Sequence, residues 1–172
     1  MTDLIHRYTP DNILASLQGC DFEYQLFEHP AVFTCKEAEV HLSHVNALGT
    51  KNLFLKEEKG TRVFLVTVAD SKRVDMNKLK LVLGSTRLSF GSPELLQELL
   101  GVEPGSVTVL GILNDPHLKV ELFIDQPVLE SEKIQAHPLR NTASLTFTPA
   151  ELLKLLLRIE REPKVIEVPE KV

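Results

Sequence analysis

Three polar stretches of this 172-residue chain carry residue types from which a reaction site could be built: Thr50-Lys51-Asn52, Pro104-Gly105-Ser106, and His137 to Thr142. Each borders an apolar run, and loops at strand ends are where a rigid sheet holds a small-molecule site. The familiar catalytic signatures are missing: no dinucleotide or phosphate-binding glycine motif, no metal-ligand pattern and no G-x-S-x-G elbow. His41 and His44 stand at i, i+3 on an expected helix, a spacing that could seat a metal, yet no third ligand lies nearby, so they read as solvated helix histidines. Cys20 and Cys35 form no C-x-x-C pair and read as reduced thiols. Taken singly, Lys51 is a strand-end lysine, Asn52 a turn or bulge residue, Gly105 a Pro-Gly turn glycine and His137 a loop histidine. His29 reads as structural, fixing the turn before the second helix.

The elements that must hold these loops are organised around Thr50 to Val68, TKNLFLKEEKGTRVFLVTV. Leu53 to Leu55 and Val63 to Val68 are continuous apolar or β-rich runs joined by a turn at Lys59-Gly60, so they predict a hairpin buried on both faces. Such a hairpin needs helices on its sheet or a sheet curled on itself. Before it, the pattern predicts a helix over Asp11 to Leu17, a strand over Phe22 to Phe27, and a second helix from the Thr34–Glu37 capping box to about Val45. After it come helices over Val74 to Leu83 and Glu94 to Leu100, each closed by glycine. Val107 to Leu113 reads as an apolar strand, turned at Asn114-Asp115-Pro116 into Leu118 to Ile124 as a second hairpin. Ser144 to Phe147 is a short strand, Thr148-Pro149 caps an amphipathic helix to about Ile159, and Val165 to Val168 adds an edge strand. The fold class is mixed α/β, a single domain over 1–172 with a curved mixed sheet surrounded by helices.

Composition is that of a water-soluble globular chain, with 43% hydrophobic and 25% charged residues. No run approaches the roughly 20 apolar residues of a membrane span, and the N-terminal MTDLIHRYTPDN has neither a secretory nor a transit pattern. The expectation is a cytoplasmic protein without cofactor. Net charge is −5, but unevenly spread. Residues 51–90 hold 9 basic against 4 acidic groups, while both flanks are acidic. That basic island, which includes Lys51, Lys56, Lys72 and Arg73, could meet a phosphate backbone or form the solvated side of amphipathic elements.

Four motifs together carry a resemblance: His29-Pro30-Ala31-Val32-Phe33-Thr34, Lys51-Asn52-Leu53-Phe54-Leu55, Gly101-Val102-Glu103-Pro104-Gly105-Ser106-Val107-Thr108, and His137-Pro138-Leu139-Arg140-Asn141-Thr142-Ala143. In this order they resemble the YbaK-type aminoacyl-tRNA editing family, most of all the free-standing Ala-tRNA(Pro) deacylases related to the insertion domain of prolyl-tRNA synthetases. The resemblance runs over about residues 20–168. It implies a metal-free hydrolase that cleaves the aminoacyl ester of a mischarged tRNA with a positioned water and backbone stabilisation of the oxyanion. It implies Lys51 at the terminal phosphate or ribose, Gly105 opening the loop that positions the carbonyl, and His137 lining the amino-acid pocket. Phe33, Thr34, Asn52, Ser106, Asn141 and Thr142 are the implied substrate contacts, with Lys51, Lys56, Lys72 and Arg73 toward tRNA. The implied partners are the acceptor end of tRNA(Pro) and prolyl-tRNA synthetase, with no DNA and no membrane. Val109 stands where the family's proline closes the glycine loop. A deacylase for Cys-tRNA(Pro) or Ser-tRNA, or a non-catalytic module binding tRNA or a synthetase, are the alternatives.

Overall fold

Val63 to Val68 are buried at every position, so this strand must be covered on both faces, and the rest of the chain supplies that cover. In the computed structural model, residues 8–172 are described; residues 1–7 of the expected domain lie outside the described residues. The elements in chain order are α1 (Ile13–Gly19), β1 (Gln25–Glu28), α2 (Cys35–Leu42), β2 (Leu48–Glu57), β3 (Val63–Ala69), α3 (Met76–Val82), β4 (Leu88–Phe90) and α4 (Pro93–Leu100). A 3-10 helix (Val109–Asn114), β5 (Val120–Asp125), α5 (Gln126–Glu130), β6 (Ile134–Ala136), β7 (Ala143–Phe147), α6 (Pro149–Arg158) and β8 (Lys164–Ile166) follow. The strands form one eight-stranded mixed sheet in the order β1-β7-β6-β2-β3-β5-β8, with β4 also paired to β2.

The expected hairpin is its centre: β2 and β3 pair antiparallel from Thr50↔Ala69 to Lys56↔Val63. Alternation along β3 divides the interior into two layers. Phe64, Val66 and Val68 pack with Leu55, Leu79, Leu83 and Phe123 on one face. Val63 and Leu65 pack on the other face with Leu96, Leu100, Leu110 and Leu152. Full burial of each such side chain contributes on the order of 1.5–3 kcal/mol. Three helices, α2, α4 and α6, begin at their expected caps, whereas α1 begins at Ile13, two residues after the expected Asp11. The Thr34 hydroxyl accepts the Glu37 N–H at 3.1 Å, and the Glu37 carboxylate accepts the Phe33 N–H at 2.7 Å. Ser92 and Thr148 cap α4 and α6 in the same way, each followed by proline.

Two expectations are corrected between residues 107 and 124. Val107 to Leu113 is not a strand: Val109–Asn114 is a 3-10 helix, with the Thr108 hydroxyl accepting the Leu110 N–H at 3.3 Å. A continuous apolar run fits a buried helical turn as well as a buried strand. The second hairpin expected over residues 107–124 is accordingly not formed. β5 lies parallel to β3, with Leu65 opposite Leu122, and its start is set by Asp115. That carboxylate accepts the Lys119 and Val120 N–H groups at 3.0 and 2.8 Å and pairs with the buried Arg161 at 2.7 Å. The three-residue β4 and the pair α5–β6 are elements the sequence pattern did not disclose.

One feature of the sheet positions the site. The edge of β2 away from β3 is shared by two strands, β6 at Leu48 and Gly49 and β4 at Leu55 to Glu57. Between them, residues 50–54 have no strand partner on that edge among the described residues. Lys51 and Asn52 stand in this fork.

Candidate active site

The fork opens into a cavity of about 210 Å³ whose wall includes Lys51, Asn52, Phe33, Thr34, Gly105 and His137. Six residues singled out from four distant stretches of sequence therefore share one wall. The Lys51 ammonium is half-buried and donates to the Lys72 carbonyl at 2.5 Å, which holds the side chain across the cavity rather than out in solvent. Asn52 accepts a hydrogen bond from the Thr67 hydroxyl through Oδ1 at 2.6 Å, so its amide is oriented by a fully buried neighbour.

Gly105 has φ +85°, backbone geometry that disfavours any side chain, and a Cβ there would lie 3.3 Å from the Phe33 ring. The loop thus brings bare backbone up to the cavity with Phe33, itself 70% exposed, folded against it. The Ser106 N–H is turned away and donates to the Glu103 carbonyl at 3.0 Å. Gly105 and Val107 both line the cavity, and neither N–H makes a hydrogen bond among the described residues.

His137 is fixed in one tautomer. Its Nδ1 lies 2.9 Å from the Ala143 carbonyl, which can only accept, so Nδ1 carries the proton and Nε2 presents a lone pair. Burial pushes the imidazole below its ordinary 6.5; the Ala143 carbonyl opposes this and the neighbouring His29 adds to it. The residue is a neutral acceptor at physiological pH. His29 bridges the Pro30 carbonyl at 2.8 Å and the Ser144 hydroxyl at 2.9 Å, and its ring stacks on His41, the structural role expected of it.

The remaining expected residues fall outside this wall. Ser106 is buried directly behind it. The Asn141 amide donates to the Val32 carbonyl at 2.9 Å, and the Thr142 carbonyl accepts the His29 N–H at 3.1 Å, so this loop clamps the 29–32 turn that carries Phe33. Lys56 is exposed at the opposite end of β2, and Arg73 is exposed on the turn after β3. Lys72 points inward to Asp125. Sequence reasoning missed Asp70, which lines the cavity beside Lys51 and leans over Gly49 so closely that a Cβ there would be 2.2 Å from its carboxylate. Burial raises its pKa and the Glu39 charge adds to this, while the Ser71 N–H and the Lys51 charge oppose it. The glycine at the start of β2 was the available signal. Cys35, at the first turn of α2, also lines the cavity; burial and then Asp70 push its thiol up, so it is held as a thiol. No group of three or more metal-ligating side chains is found among the described residues, nor a helix long and apolar enough to cross a membrane.

Known proteins resemble this chain in sequence and fold. The aminoacyl-tRNA editing domain profile matches residues 29–155. The chain is 36% identical over 152 residues to the Prolyl-tRNA synthetase associated domain-containing protein 1 of Danio rerio, covering 87% of this chain and 82% of that protein. It is 32% identical over 157 residues to the Prolyl-tRNA editing protein ProX of Acetoanaerobium sticklandii, covering 91% and 95%. Among solved structures, a candidate trans-editing enzyme for prolyl tRNA synthetase superposes with a TM-score of 0.73 at 26% identity, over 94% of this chain and 97% of that one. With the profile spanning most of the fold and every wall residue from His137 to Lys51 inside it, the chain belongs to the YbaK-type aminoacyl-tRNA editing family.

Proposed function

We propose that this protein is a trans-editing deacylase that hydrolyses Ala-tRNA(Pro). The observation that carries this reading is the convergence of Lys51, the Gly105 loop and His137 on one cavity of about 210 Å³. The proposed second sieve admits a methyl side chain and excludes a pyrrolidine ring by size, which is how it would spare the correct product. The names of the relatives, a prolyl-tRNA editing protein and a prolyl-tRNA synthetase associated protein, support tRNA(Pro) as the carrier and prolyl-tRNA synthetase as the enzyme whose errors are corrected.

The chemistry needs little apparatus because an aminoacyl ester is already activated. Lys51 holds the terminal phosphate or ribose, and the Gly105 and Val107 N–H groups receive the negative charge that develops on the carbonyl oxygen; each such preorganised donor is worth about 10²- to 10³-fold. Water attacks the carbonyl carbon, the C–O ester bond breaks, and the proton released by the water reaches the departing ribose oxygen through the vicinal hydroxyl. The products are free alanine and a tRNA with both terminal hydroxyls restored. Neutral His137 accepts a hydrogen bond through Nε2 from the substrate ammonium. Lys56 and Arg73 meet the acceptor end by phosphate contact.

The test is deacylation of Ala-tRNA(Pro), with Pro-tRNA(Pro) and Cys-tRNA(Pro) alongside, by wild type and Lys51→Ala. Lys51-dependent loss of alanine with proline spared is expected. Decay of all three esters at the uncatalysed rate would refute the enzyme assignment.

A further inference from the structure

Lys72 belongs by charge to the basic island, but the fold uses it otherwise. Its side chain is 16% exposed, and its ammonium lies 2.7 Å from Oδ2 of Asp125, a side chain with no exposure at all. The same ammonium donates to the Val168 carbonyl at 2.9 Å, and Asp125 Oδ1 accepts the Val168 N–H at 2.8 Å. Lys72 is thus tethered to the end of β5 and to the segment after β8. Its other end reaches the site: the Lys72 carbonyl is the acceptor for the Lys51 ammonium, at 2.5 Å. The turn between them is short and braced, with the Lys72 N–H donating to the Ala69 carbonyl and the Asp70 N–H to the Gly49 carbonyl.

Stability alone does not call for such a pair. Replacing a buried ion pair by uncharged residues of similar volume is often neutral or stabilising, whereas removing one partner leaves an uncompensated charge. What the pair supplies is direction: it fixes the Lys72 peptide, and that peptide fixes the Lys51 amine. The Lys72 carbonyl is the one hydrogen-bond acceptor of the Lys51 ammonium among the described residues, and the Asp70 carboxylate beside it acts on it through charge alone.

We propose that Lys72 and Asp125 are positioning residues for Lys51, holding its ammonium at the fork through the Lys72 carbonyl, and that Lys72 does not contact RNA phosphate. The catalytic consequence rests on the deacylase reading above; the positioning itself does not. A displacement of about 1 Å in a reacting group costs up to about 10²-fold in rate.

The decisive variant is the double Lys72→Met/Asp125→Asn, which removes both charges together and keeps an acceptor for the Val168 N–H. It is expected to fold, as read by circular dichroism and thermal melting. Its kcat/KM on Ala-tRNA(Pro) is expected to fall about 10- to 100-fold, and Lys72→Arg, which keeps a cation within reach of Asp125, to recover much of the loss. Two readouts separate this from general damage. Acetylation of Lys51 by N-hydroxysuccinimide acetate, followed by peptide mass, is expected to quicken several-fold in the double variant, because the amine has lost its fixed acceptor. With Lys51 already removed, the salt dependence of tRNA binding is expected to be the same in Lys51→Ala as in Lys51→Ala carrying Lys72→Met and Asp125→Asn. Unchanged Lys51 acetylation in a folded double variant overturns the proposal whether or not the protein deacylates anything, and a salt slope reduced by about one would make Lys72 a phosphate contact instead and likewise overturn it.

Discussion

Gly105→Ala separates backbone geometry from stability. Gly105 sits at φ +85°, and placing an L-residue in left-handed backbone costs about 1–2 kcal/mol. The new methyl would lie 3.3 Å from the Phe33 ring, but that ring is 70% exposed and can swing aside, so the contact adds little. For a chain of this length each kcal/mol lowers Tm by roughly 2–4 °C, so the variant should melt about 2–8 °C below wild type and remain folded. Its activity should suffer far more. Relief of the strain rotates the loop that carries the Gly105 and Val107 N–H groups, and losing one aligned donor costs about 10²- to 10³-fold in kcat. Single-turnover deacylation of Ala-tRNA(Pro), read as release of labelled alanine, should fall by about that factor in a protein whose circular dichroism is unchanged. The double variant with Phe33→Ala tells the two causes apart: if φ is the problem, removing the ring restores neither Tm nor rate. Activity of Gly105→Ala within about threefold of wild type would refute the assignment of oxyanion donors to this loop.

Three further outcomes follow from the geometry. His137 is held below its ordinary pKa by burial, so the unfolded chain binds the proton more readily; stability should be complete above about pH 6.5 and decline as pH falls from there toward the lowered folded value, and Tm against pH should lose this slope in His137→Gln. Val109→Pro should be tolerated within about 1 kcal/mol, because Val109 is the first residue of the 3-10 helix and Thr108 already has the extended backbone, φ −149° and ψ 151°, that precedes proline; urea unfolding checks it, and collapse of the fold would contradict it. Arg161→Met should cost about 3–5 kcal/mol by urea unfolding, since it leaves the buried Asp115 carboxylate without its cation; a loss under about 1 kcal/mol would mean that the two backbone donors alone satisfy Asp115.

Much of this was legible in the sequence wherever the signal was local. The caps at Thr34, Ser92 and Thr148 satisfy backbone donors three residues on, and each helix begins where its cap stands. The β2–β3 hairpin declared itself because a run buried on both faces is apolar without interruption. The same property misled at Val107 to Leu113: burial on all sides erases the period that distinguishes helix from strand. β5 was visible as a strand, but its partner, β3, lies more than 50 residues earlier in the chain, and nothing local encodes a parallel pairing across that distance. In the site, Lys51, Gly105 and His137 were found through motif order. Asp70 and Asp125 were not, because a carboxylate acquires its role from what the fold places against it, and isolated aspartates in sequence look alike.

The path of the chain through the sheet also bears on when the site can exist. β3 pairs with β5 and β5 with β8, so the side of the sheet beyond β3 is completed in the order of synthesis. Until residue 168 has left the ribosome, Asp125 lacks its Val168 partner, Lys72 lacks one of its two acceptors, and the turn beneath Lys51 is untethered on that side. A nascent chain paused at residue 160 would already contain every residue of the cavity wall, yet the Lys51 anchor would be incomplete. The tether of the turn beneath Lys51 therefore draws on a segment that lies outside the cavity wall and is the last part of the sheet to be synthesised.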